Sequence, residues 1–115
     1  MIFRSLLAAA TITLSGAALA ECVRPQPPAL VDGATADIEA MVKTQQDVKS
    51  YQAQAESFRK CIQEEEMKDM EDGKVSEESQ AARLAAHNGV VDEETALAES
   101  WNAQIRAFKA RETAE

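Results

Sequence analysis

Bulky side chains are scarce in this chain. Its 115 residues include one Trp, one Tyr and three Phe, too little bulk for a thick globular core. Such a composition can bury a thin seam between helices, and Ala, Glu, Gln and Lys, all good helix formers, are abundant. Positive charge is also short. Twelve Lys and Arg stand against 20 Asp and Glu, for a net charge of −8. Nucleic acid and anionic head groups repel such a chain, which excludes both as partners. There is no Cys-x-x-Cys, so thiol-oxidoreductase chemistry has no motif to rest on. No long apolar run follows residue 20, so no membrane span is expected after it.

What is present begins with an export signal. Arg4 puts one positive charge ahead of an uncharged stretch, Ser5 to Ala20. That stretch is too short and too rich in Ala, Ser and Thr to span a bilayer stably. It ends in Ala18-Leu19-Ala20, the small-x-small pattern that signal peptidases cut. Residues 1–20 therefore read as a signal peptide. Cys22 lies near the cut, but Glu21 stands where a lipobox needs a small residue, which argues against a lipoprotein. The short, Ala-rich form points to the periplasm of a Gram-negative bacterium.

Two cysteines in an exported chain imply one disulfide, Cys22–Cys61. The three prolines all fall in Arg24-Pro25-Gln26-Pro27-Pro28. They prohibit a helix and favour polyproline II across residues 21–34. Asp32-Gly33 makes a turn, and Thr35 or Asp37 can cap a helix beyond it.

Residues 35–115 read as a helical domain. Met41, Thr44, Val48, Tyr51, Ala55, Phe58 and Ile62 recur at steps of three and four, one face of a long helix over about 36–71. Asp72-Gly73 stops it. Ser76-Glu77-Glu78 starts a short helix over about 77–87, which Asn88-Gly89 breaks. Asp92 caps a last helix over about 92–112, with Leu97, Trp101, Ile105 and Phe108 as its stripe. The expected fold is all-α, an antiparallel helical hairpin, or a three-helix bundle if the break at 88–91 is a full turn. In the hairpin Met41, Val48 and Ile62 share a seam with Leu97, Trp101, Ile105 and Phe108. Trp101 lies opposite Val48, Phe108 opposite Met41, and Phe58 and Ile62 face Ala85 and Leu84.

The disulfide adds a test of length. From Thr35 to Cys61 a helix spans about 39 Å. From Cys22 to Thr35 a polyproline strand spans about 40 Å. The bond can therefore close if the proline segment runs back along the long helix. Pro25, Pro27 and Pro28 then pass Tyr51 and Phe58, with Pro25 near Ala55 and Pro28 near Lys49. The expected layers are proline strand, long helix and return helix.

The run Cys22…Pro28-x3-Asp32-Gly33-x2-Ala36-x4-Met41-x6-Val48-x2-Tyr51…Cys61 resembles a family of small secreted proteins of Proteobacteria. The segment from Trp101 to Arg111 resembles their C-terminal helix. The resemblance implies export and a helical fold, and no activity comes with it.

Candidate chemistry is sparse. His87, the one histidine, has no nucleophile placed by spacing and suits a helix C-terminus. Met67 and Met70 could suggest a soft-metal site, but two thioethers are too few. The acidic run Glu64-Glu65-Glu66…Asp69-Met70-Glu71-Asp72-Gly73 fails as a calcium loop, because Lys68 and Met70 stand where oxygen ligands are needed. Arg106, Lys109 and Arg111 form a basic cluster, and Gln45, Gln52 and Asn102 are candidate register devices near the seam. No cofactor, metal site or catalytic residue is expected. The composition reads as a non-enzymatic envelope module that binds a protein partner or itself. The alternative is a carrier of a metal or small ligand using the Met and acid cluster.

Overall fold

A computed structural model describes residues 22–113, so the signal-peptide reading of residues 1–20 lies outside the described residues. Two helices make up the described secondary structure: α1, Ile38–Glu71, and α2, Glu77–Thr113. At 34 and 37 residues they are about 51 and 55 Å long. They fold back on each other as a helical hairpin, and residues 23–32 form neither helix nor strand.

Each helix end follows from local chemistry. Asp32 organises the approach to α1: its carboxylate accepts from the Ala34 N–H at 2.9 Å, and its carbonyl from Thr35 and Ala36. Asp37 is the N-cap, accepting from the Ala40 N–H at 2.8 Å. At the other end Gly73 adopts φ 66°, the left-handed conformation that a helix stop uses. The Lys74 N–H bonds to the Asp69 carbonyl at 2.8 Å and the Gly73 N–H to that of Met70 at 3.3 Å, together a Schellman motif. Ser76 and Ser79 then cap α2 reciprocally: each backbone N–H donates to the other's hydroxyl, at 3.1 and 3.2 Å.

The expected break at 88–91 does not occur. α2 runs through Asn88, Gly89 and Asp92, so there is one return helix where two were expected, and Asp92 caps nothing. A glycine inside a helix costs only about 1 kcal/mol. Two contacts outweigh it. Val90 is fully buried beside it, and the Arg24 guanidinium lies over Gly89, where a Cβ would stand 2.8 Å from Nη2.

Continuity also corrects the seam near the hairpin tip. Met41, Val48, Ile62, Leu97 and Trp101 are buried, with Ile105 and Phe108 partly buried against them. Leu84 and Ala85, expected to face Phe58 and Ile62, point to solvent instead. Without a break, the stripe of Trp101, Leu97 and Val90 continues in phase to Ala86 and Arg83, and these take the inner face.

Arginine contacts tie α2 to the rest of the chain at three levels. Near the tip Arg83 pairs with Asp69, midway Arg59 pairs with Glu94, and at the open end Arg111 donates to the Ala36 carbonyl at 2.8 Å. Arg111 also stands over the Phe108 ring, 5.1 Å from its centroid. Gln45, Gln52 and Asn102, considered as register devices, are exposed. Arg106 and Lys109 are exposed as well.

Candidate functional site

Cys22 and Cys61 form a disulfide across 5.6 Å between their Cα atoms. It ties the start of the proline segment to a point two-thirds along α1. Pro25 is buried and lines a groove of about 550 Å³ with Val23, Ser57, Phe58 and Cys61. Farther along, Pro28 borders Tyr51, Asp47 and Gln54.

The layer order differs from the expected one, because the segment touches both helices. Arg24 pairs with Glu93 of α2 at 2.8 Å. Pro27, Pro28 and Leu30 border Glu93, Ala96 and Leu97. Gly33 donates its N–H to the Gln104 side chain at 2.8 Å. The segment is therefore a strap over the seam. Two packed cylinders leave a furrow between them, and Leu30 and Val31 bury more apolar surface there than on one helix alone.

Tyr51 sits where all three pieces meet. Only 1 % of its surface is exposed, and its hydroxyl donates to Glu93 at 3.4 Å. Burial, then the charge and hydrogen bond of Glu93, push the phenol above its ordinary value, with Arg24 opposing. Sequence reasoning placed Tyr51 beside the prolines but missed Arg24 and Glu93. Their 69-residue separation carries no local signal.

Large apolar side chains stand outside the seam at both ends of the hairpin, with Val23, Ile38 and Val42 exposed at 78, 60 and 49 %. Met67, Met70 and Leu84 are exposed at 61, 63 and 62 %. Glu64, Glu71, Asp72, Glu77 and Glu78, in the same part of the chain, are exposed as well. His87 is half-buried and lines a groove of about 390 Å³ with Glu66, Arg83 and Leu84. No Ser, Thr or Cys lines that groove. Arg83 is 8 % exposed, and its Nη1 has no hydrogen-bond partner.

Among the described residues, Cys22, Cys61 and Glu65 bring three potential ligand atoms within 4.8 Å of one another. The sequence reading placed Glu65 only in the acidic run and not beside the cysteines, although it lies one helical turn after Cys61 and so on the same face. No described helix is long and apolar enough to cross a membrane.

No family model matches the chain. No curated protein and no solved structure matches it either. The resemblance to small secreted proteins of Proteobacteria thus stands only on the residues named for it.

Proposed function

We propose that this chain is a non-enzymatic structural or protein-interaction module of the bacterial envelope, exported by residues 1–20 and most at home in the periplasm. In this reading the proline segment is an extended staple that stiffens a long hairpin and holds its tip away from its open end. The observation that carries it is the tip itself. Three large apolar side chains, Met67, Met70 and Leu84, stand in solvent, though a seam for burying such residues runs beside them. Exposed apolar groups rimmed by polar ones suit a protein partner.

The test is crosslinking and pull-down from envelope extract of the native cell, beside a measurement of oligomeric state in solution. A specific partner, or self-association, should be captured by the parent and lost in Met67→Glu/Leu84→Glu with helicity unchanged. Equal capture by both proteins would remove the tip from the proposal. The alternative, a carrier of a metal or small ligand at the tip, would be carried by a thermal shift with copper or calcium that disappears in Met67→Leu/Met70→Leu.

A further inference from the structure

We propose that the reduced form of this chain binds one Zn²⁺ through Cys22, Cys61 and Glu65, so that a metal takes over the cross-link the disulfide makes when oxidised.

The ligands are already gathered. The two sulfurs and a Glu65 carboxylate oxygen lie within 4.8 Å of one another. Zinc binds thiolate at about 2.3 Å, so a tetrahedral ion needs its two sulfurs only about 3.8 Å apart. Cys22 and Cys61, with Cα atoms 5.6 Å apart, can open that far by side-chain rotation. Glu65 follows Cys61 by one helical turn, so α1 presents both from one face. Water would fill the fourth position, as in three-ligand zinc sites.

The second observation is an oxygen with nothing to bond. Glu65 Oε1 is buried and has no hydrogen-bond partner. A buried carboxylate oxygen is costly unless a donor or a cation satisfies it. In the oxidised chain the neighbouring sulfurs have no proton to donate. Reduction changes that, and a divalent cation would satisfy the oxygen more fully. The donor set also chooses the ion. Calcium and magnesium take oxygen ligands, whereas two thiolates and a carboxylate suit zinc.

The chemistry balances with a dithiol as reductant. The Cys22–Cys61 bond accepts two electrons and two protons and becomes two thiols, while the dithiol closes to its own disulfide. Zn²⁺ then displaces both thiol protons as two zinc–thiolate bonds form. The same two residues hold the strap to α1 in either state.

The test uses the purified chain reduced with a phosphine, titrated with Co²⁺ as a spectroscopic stand-in and then with Zn²⁺. The expected result is a cobalt–thiolate charge-transfer band that saturates at one equivalent and is displaced by Zn²⁺. It should be absent from the oxidised protein and from Cys22→Ser. Glu65→Gln should weaken binding by about tenfold or more, since losing even an outer-shell partner costs about 10–100-fold. Glu64→Gln, an exposed neighbour, should leave binding unchanged. Should reduction loosen the fold, zinc should restore amide protection in α1. The proposal is overturned by a missing band at saturating Co²⁺, by equal binding in Glu65→Gln, or by a loosened chain that zinc does not restore.

Discussion

Gly33 lies against Gln104 so closely that a Cβ at Gly33 would stand 1.9 Å from the Gln104 backbone oxygen. The same pair is joined by the hydrogen bond from the Gly33 N–H to the Gln104 side chain. Backbone cannot retreat as a side-chain tip can. Gly33→Ala should therefore lift the strap from α2 and destabilise the fold by about 1–3 kcal/mol, as overpacking does. Gly89→Ala meets only the far end of Arg24 and gains helix propensity, so it should be neutral or stabilising by up to about 1 kcal/mol. Urea unfolding of both variants measures the contrast, and equal effects would refute it.

Tyr51 should titrate late. Its folded pKa is raised above 10.0, so the folded state holds the phenolic proton more tightly than the unfolded chain. The stabilisation is fully present below pH 10.0, the unfolded value, and is lost as pH rises through the folded value. Because Tyr51 is the only tyrosine, tyrosinate absorbance reports it directly. The midpoint should lie above 10.0 in the parent and fall towards it in Glu93→Gln.

The Arg83–Asp69 pair should behave as a buried charge pair, costly to halve. Arg83 has 10 % of its side chain exposed and Asp69 28 %. Asp69→Asn leaves the guanidinium without its counter-charge and should cost about 1–3 kcal/mol. Arg83→Met combined with Asp69→Asn should recover much of that loss, because an apolar side chain suits the seam. A double variant less stable than Asp69→Asn would show that the pair itself is strongly stabilising.

Opening the disulfide should weaken the fold without erasing its helices. The bond closes a loop with a sequence separation of 39, which the chain-entropy model values at about 3–4 kcal/mol. That is a large share of the roughly 5–15 kcal/mol expected of a small domain. Cys22→Ser/Cys61→Ser should show a lower urea midpoint, nearly unchanged helical circular dichroism, and faster hydrogen exchange in residues 23–33. Unchanged exchange there would mean that the strap holds without its staple.

Much of this molecule is written locally. The seven-member stripe from Met41 to Ile62 marks α1, Asp37 and Ser76 cap the helices, and Gly73 ends the first. Each is a pattern within a few residues, where helical period and side-chain capping act directly. The Cys22–Cys61 pairing was legible too, since two cysteines leave a single intramolecular choice. The tertiary structure decided the rest. Asn88-Gly89 reads as a break by local propensity, but burial of Val90 and the cover of Arg24 keep α2 whole. That continuity carries the helical phase back to Arg83 and turns Leu84 outward. The strap's place over the seam and the Gly33–Gln104 contact depend on residues far apart in the chain. Periodicity tells which face of a helix is apolar. Only packing tells what lies across from it.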